Sequence, residues 1–359
     1  MNYESYLLSL HRRLNLTRAR FEKLNQFFAG DWQKVYKAKL QDWQAAGMDK
    51  QGIEKFFSSP ETLTPAQETE LLGSSQAQLV TCENQLYPDL WQNIAQAPAL
   101  FFYRGNGENL NTKSIAVVGS RKMTDYGQRV LTSLILPTVE KGVTVVSGLA
   151  YGVDTAAHQL ALKCKVPTVA ILGNGIDEIY PQRNTALATE ILTAGGTIVS
   201  EYLPRTAARP EYFPQRNRLV AGLAEATIVV EGALKSGSLI SARLANEFGR
   251  TVWAVPGDVF RLNSQGCNQL IFQGEAGALT DSKFLLESLN LNNTRLLQKV
   301  DLSPEEKDLV RILRQKSEWP LEDFMSQFKV PISEVSMRLT LLELKGVVKV
   351  FPNKVYYAG

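Results

Sequence analysis

The spacing of hydrophobic positions changes twice along this chain and divides it into three stretches. From about residue 3 to 58, apolar residues recur at helical spacing: Tyr6, Leu7, Leu10 and Leu14, then Phe21, Leu24, Phe27 and Phe28, then Tyr36, Leu40 and Trp43, with Gly47 as a stop. Several short helices are expected there. The polar stretch SSPETLTPAQETE follows, as a linker or as a loop leading into another helix. Between about 75 and 290, apolar runs of strand length end in small or polar residues and alternate with helical patterns. The runs are Ser114–Val118, Val143–Val146, Thr168–Leu172, Thr197–Ser200, Ala226–Val230 and Thr251–Val255. Such alternation predicts right-handed crossovers and a mostly parallel sheet covered on both faces, an α/β fold of the extended Rossmann-like kind. Ligands of such sheets bind outside the carboxyl ends of the strands, where every Gly- or Ser-rich loop of this stretch falls. From 304 onward, three helical segments (Pro304–Arg314, Leu321–Phe328, Ile332–Leu344) precede two short strands, Val347–Val350 and Lys354–Tyr357, around Phe351-Pro-Asn353. Three helices and a hairpin read as a winged helix. The expected domains are therefore 1–72 (helical), 73–292 (Rossmann-like), a linker at 293–303, and 304–359 (winged helix).

Composition narrows the class without naming a function. Lys plus Arg total 39 against 36 for Asp plus Glu, so any nucleic-acid site must arise from local clustering of charge. Three scattered cysteines, Cys82, Cys164 and Cys267, suit neither a zinc site nor a disulfide framework and fit a reducing compartment. The opening MNYESYLLSLHRRLNL lacks the long apolar core of a signal peptide, and no run is long and apolar enough to span a bilayer. A cytoplasmic protein is expected.

Five loop segments carry candidate chemistry. In VVGSR (117–121), Gly119 and Ser120 open backbone N–H groups at a helix start, and Arg121 adds a fork of donors; the plain alternative is a tight turn with a surface arginine. In SGLAYGVDTAAH (147–158), Ser147 and Gly148 close a strand, and Asp154 and His158 share a helix face, either as a metal or acid–base pair or as a pair that shapes the loop. In GNGIDEIYPQRN (173–184), Asp177, Tyr180 and Asn184 are candidates to pin the loop, and Tyr180-Pro181 fits packing as well as contact. YFPQRNRLVAGLA (212–224) is the densest signal. Phe213 beside Arg216, Asn217 and Arg218 offers a flat face for a base and charge for a backbone, against the alternative of a solvated helix start. In EGALKSGSLISAR (231–243), Lys235, Ser236, Gly237 and Ser238 form an anion cradle at a helix N-terminus, but the phosphate-loop spacing is absent and ATP hydrolysis is not implied.

Together with IVSEYLP, TVWAVPG and GCNQLIFQGEA, these segments resemble the DprA/Smf DNA-processing family over about residues 80–285. The resemblance implies a Rossmann-like module that binds single-stranded DNA, dimerises and delivers the strand to the RecA recombinase in natural transformation or recombination. It implies no catalytic residue, no cofactor and no metal. Arg121 is then the leading DNA contact. Gly119, Ser120, Ser147 and Gly148 supply pocket backbone, Arg216, Asn217 and Arg218 a second wall, and Lys235 to Ser238 a third. The family's N-terminal domain is SAM- or helix-hairpin-helix-like, but LNLTRARFEKL here lacks the hairpin glycines. The last long helix, ISEVSMRLTLLELKG, carries Glu334 and Glu343 with Arg338 and Lys345, so protein contact competes with DNA contact there. Two other classes are disfavoured by missing signatures. Nucleotide hydrolysis lacks PGGxGTxxE where EGALKSGSL stands, and a dinucleotide oxidoreductase lacks G-x-G-x-x-G after the first strand.

Overall fold

The computed structural model describes residues 3–60, 62–291, 303–313, 319–327, 332–344, 348–351 and 354–357. It divides into two compact units, Met1–Leu291 and Asn292–Gly359.

The first unit begins with six short helices: α1 (Tyr3–Leu14), α2 (Arg18–Phe27), α3 (Trp32–Lys37), α4 (Leu40–Ala45), α5 (Lys50–Ser58) and α6 (Pro65–Ser74). Local chemistry fixes where they start. Thr17, Asp31 and Asp49 each accept a backbone N–H of the following first turn, and Thr64 forms a reciprocal capping box with Gln67 ahead of Pro65. The polar stretch after residue 58 thus leads directly into a helix. Burial of Leu7, Leu10, Leu14, Phe21, Leu24 and Trp43 follows the helical spacing of the sequence.

A nine-stranded sheet follows: β1 (Gln78–Thr81), β2 (Leu100–Gly105), β3 (Ser114–Val118), β4 (Thr144–Ser147), β5 (Thr168–Gly175), β6 (Thr197–Tyr202), β7 (Ala226–Val229), β8 (Thr251–Ala254) and β9 (Gly277–Ala278). Their spatial order is β1-β2-β6-β5-β4-β3-β7-β8-β9. All pairs from β6 to β9 are parallel, while β1 and β2 add antiparallel strands at one edge. The six expected strands are β3 to β8. Strands β1, β2 and β9 carry no clear period of their own. The helices that matter for the site are α7 (Asp125–Val130), α8 (Leu136–Val139), α9 (Val153–Lys163), α10 (Thr185–Thr193), α11 (Tyr212–Gly222), α12 (Gly237–Glu247), α13 (Leu262–Phe272) and α14 (Ser282–Ser288).

Alternation along β3 sends Ile115 and Val117 to one core, with Val153, Ala157 and Leu160 of α9. Ala116 and Val118 go to the other, with Leu219 and Val220 of α11 and Leu239 and Ala242 of α12. That second core is continuous with Leu7, Leu10, Phe21 and Trp43 of the N-terminal helices, and Trp91 joins it by donating its indole N–H to the Leu219 carbonyl at 3.1 Å. The chain turns back across β3, since β4, β5 and β6 extend from one side of it and β7 and β8 from the other. A reversal of this kind opens a crevice at the carboxyl ends of the strands beside it.

The second unit holds α15 (Pro304–Leu313), α16 (Leu321–Met325) and α17 (Ile332–Leu344) with β10 (Trp319–Pro320), β11 (Val348–Phe351) and β12 (Lys354–Tyr357) in the order β10-β12-β11. Leu309, Leu313, Phe324, Leu339, Leu342 and Val355 form its core. Of the expected linker at 293–303 only Ser303 is described, and residues 314–318, 328–331, 345–347 and 352–353 lie outside the described residues.

Candidate nucleic-acid interface

At the carboxyl ends of β3, β4 and β5 lies a crevice of about 510 Å³. Gly119 and Arg121 line it from the loop after β3, Ala150 from the loop after β4, Asp154 from the first turn of α9, and Tyr180 from the loop after β5. Phe213, Pro214, Arg216 and Asn217 come from α11, and Ser236, Gly237 and Ser238 from the start of α12. Segments more than a hundred residues apart in sequence thus meet at one opening.

Two glycines let the loops close on each other. A Cβ on Gly119 would stand 2.6 Å from Val153 Cγ2, and one on Gly152, which has φ +74°, would stand 2.2 Å from the Ser120 carbonyl oxygen. That same carbonyl accepts the Val153 N–H at 3.1 Å, clasping the β3 loop to the start of α9. Farther along, the Thr124 N–H and hydroxyl both donate to the buried Glu231 carboxylate, at 2.9 and 2.5 Å. Asn184 donates to the Leu149 carbonyl at 2.8 Å, and Asp177 accepts the Arg205 N–H at 2.9 Å. Both therefore pin loops, as the sequence suggested.

The floor is a buried polar network. Arg216 is 5 % exposed and donates to the carbonyls of Gly148 (2.7 Å) and Ile171. Asp154 accepts the N–H groups of Gly148 (3.1 Å) and Ala150 (3.3 Å). Burial pushes the Asp154 carboxyl up while the Arg216 charge holds it down, and burial pushes Arg216 down while Asp154 supports its charge. His158 does not pair with Asp154. Its Nδ1 lies 2.7 Å from the Thr168 hydroxyl, and burial, aided by the Arg216 charge, lowers its pKa to about 3. Of the two sequence readings of Asp154 and His158, loop shaping matches Asp154, and a buried neutral imidazole is no poised base. Among the described residues, no group of three His, Cys, Asp or Glu side chains is arranged to hold a metal ion.

The rim supplies recognition chemistry. The exposed Arg121 guanidinium sits 5.7 Å from the centroid of the Phe213 ring, and the Tyr180 ring lies 5.5 Å from Phe213 at 35°. Gly173 makes room for Phe213, because a Cβ there would approach its ring to 2.9 Å. Opposite, Asn217 donates to the Gly237 carbonyl at 3.2 Å, and Ser236 caps α12 by accepting the Ser238 N–H.

Not every candidate faces the crevice. Arg218 turns to the other flank of α11 and pairs with Glu201 at 2.5 Å, because successive helical residues point about 100° apart. Lys235 is exposed and lies outside the crevice lining. Ser147 is fully buried, donating its hydroxyl to the Val117 carbonyl at 2.7 Å. Ser120 is not part of the crevice lining, and its hydroxyl accepts the Lys122 N–H at 3.1 Å. Tyr180 joins the aromatic rim although its sequence left packing and contact open. Ser241 and Pro210 also line the crevice, and neither carried a signal, since nothing local marks which residue of a helix or loop will face an opening.

A sequence model of the family described as DNA recombination-mediator protein A matches residues 78–290. The chain is 33 % identical to Protein Smf of Escherichia coli over 321 residues, covering 86 % of this chain and 85 % of that one. It is 34 % identical to the DNA processing protein DprA of Bacillus subtilis over 262 residues, 73 % of this chain and 86 % of the other. Among solved structures, DprA from Streptococcus pneumoniae superposes with a TM-score of 0.65 at 31 % identity, covering 79 % of this chain and 97 % of that one. DNA processing protein A from Helicobacter pylori, whose structure concerns its single-stranded DNA binding mode, matches with a TM-score of 0.53 at 32 % identity, covering 60 % and 97 %.

Proposed function

This chain belongs to the DprA/Smf family of DNA recombination mediators, and on that premise we propose that it binds single-stranded DNA in the crevice above β3, β4 and β5, without strong sequence preference and without catalysis. One observation carries the reading. Arg121, Phe213, Tyr180, Asn217 and the Ser236–Ser238 turn, from four separate segments, border one opening. Phe213 and Tyr180 present flat faces for bases, and Arg121 neutralises a phosphate or covers a ring. The loops are clasped to one another, so little ordering is left for binding. Asp154 and Arg216 act beneath them as positioning residues for the loop.

Delivery of the strand to the RecA recombinase is supported by the match to a recombination-mediator family. A homodimer is supported by Phe260 and Phe272, each 91 % exposed, with Leu262 at 71 % around α13. A cytoplasmic setting is supported by three free cysteines and by the absence, among described residues, of a helix long and apolar enough to cross a membrane. The second unit is read as a winged helix, and exposed Met337 and Leu341 on α17 favour protein over DNA as its partner.

The test is fluorescence anisotropy with labelled poly-dT, wild type against Arg121→Ala, over a salt series with duplex competitor. Expected is preference for the single strand, a log–log salt slope of about −0.7 per neutralised phosphate, and a loss of about tenfold in the variant. Absence of single-strand binding at low salt would overturn the function. Binding indifferent to Arg121→Ala would remove the crevice from the account.

A further inference from the structure

The first unit holds a second cavity that the proposed site does not use. It is a groove of about 670 Å³ on the other flank of α11, between α2, the segment at 92–99 and the end of β6. Gln92, Gln96 and Gln215 line it with Tyr202, Arg18 and Arg218. Its charges are matched internally, Arg18 with Glu22 at 2.9 Å and Arg218 with Glu201 at 2.5 Å. Beside these paired charges the lining offers side-chain amides and an aromatic ring. That chemistry suits a flat, neutral, hydrogen-bonding group better than a phosphate.

Tyr202 of the groove lining belongs to an aromatic–arginine set like that of the crevice, whose other members lie beyond the lining. Tyr202 and Tyr212 stack with centroids 4.4 Å apart at 27°, and the Arg209 guanidinium lies 5.9 Å from the Tyr212 centroid. The Tyr202 hydroxyl donates to Gln215 Oε1 at 3.2 Å. Tyr212 and Phe213 are consecutive residues at the start of α11, so the two sets flank one helical turn with about 1.5 Å of rise between them. The loop joining β6 to α11 adds Arg205 and Arg209, both exposed and, among the described residues, in no ion pair. Bases thus find flat surfaces on either side of the turn, with cations along the outer loop.

We propose that this groove is a second nucleobase subsite. A single strand leaving the crevice crosses the first turn of α11, runs its backbone along Arg205 and Arg209, and seats a base beside Tyr202 and Gln215. The N-terminal helices then form one wall of the DNA track. The proposal rests on the single-strand reading above and extends it. A free nucleotide presents the same chemistry, and the experiment separates the two.

The full chain is titrated with labelled oligo-dT from about four to about twenty nucleotides, bracketing the lengths that single-strand sites occupy. The variants are Ala19→Trp, which fills the groove from an exposed position of α2, and Tyr212→Ala. Wild-type affinity should climb with length. Ala19→Trp should keep its affinity for the shortest oligonucleotide and lose about 5- to 150-fold on the longer ones, the range expected for one stacked base. Tyr212→Ala should lose the same gain, and unchanged thermal melts confirm that both variants fold. A length dependence identical in wild type and Ala19→Trp overturns the subsite. Thymidine monophosphate bound by wild type and not by Ala19→Trp, with the length dependence unaltered, gives the groove to a free nucleotide and overturns the strand path. If wild type binds no oligonucleotide at all, the crevice reading fails and the subsite falls with it.

Discussion

Two arginines of the crevice show how one residue type serves opposite ends. Arg121 is exposed beside Phe213, whereas Arg216 is buried, spends its donors on the Gly148 and Ile171 carbonyls and faces the buried Asp154. Without Arg216, the Gly148 and Ile171 carbonyls lose their buried donor, and the buried Asp154 loses the charge that opposes its desolvation. Arg216→Ala should therefore cost about 3–5 kcal/mol of stability, read as a lower urea midpoint, and any loss of DNA affinity should accompany it. Arg121→Ala should move stability by no more than about 0.5 kcal/mol while weakening binding. A fully stable Arg216→Ala with weakened binding would instead make Arg216 a direct contact. The sequence placed both residues in one pocket, and nothing local distinguished the buried one.

Between elements, the join of the N-terminal helices to the sheet is polar as well as apolar. Arg12 of α1 forms a two-pronged pair with Glu68 of α6, which is 1 % exposed, and also donates to the Pro204 carbonyl at 3.3 Å in the loop after β6. Arg12→Ala should strand the Glu68 charge and cost about 3 kcal/mol, measured by urea unfolding. A loss below about 1 kcal/mol would mean that water replaces the guanidinium. Strands β3 to β8 were legible because each apolar run ends in a turn residue, and the burial pattern of β3 confirms a strand covered on both faces. Strand β2 was not. Its run Leu100-Phe101-Phe102-Tyr103 has no alternation, and a short buried run does not distinguish strand from helix.

On the scale of the whole molecule, both histidines of the chain are buried and neutral. Burial lowers His158 to about 3 and His11 to about 4, from 6.5. The unfolded chain takes up protons below about 6.5 that the folded chain refuses until it passes those lower values. Stability is therefore intact above that pH and falls on acidification, by up to about 1.4 kcal/mol per pH unit for each histidine. Urea midpoints between about pH 7 and 5 should decline in wild type and decline less in His11→Gln/His158→Gln. Equal slopes would show that other groups carry the acid sensitivity. The sequence by itself determined the six core strands, the loops at their carboxyl ends, the helical character of the first stretch and the family, because each is written in neighbouring residues as period, turn chemistry or motif. Only the tertiary structure decided which face of α11 each arginine takes, that Asp154 and His158 part company, and that a groove opens between α2, the segment at 92–99 and the end of β6. Those outcomes depend on packing between segments far apart in the chain, where solvent exclusion and ion pairing set each side chain's role, and no local pattern records them.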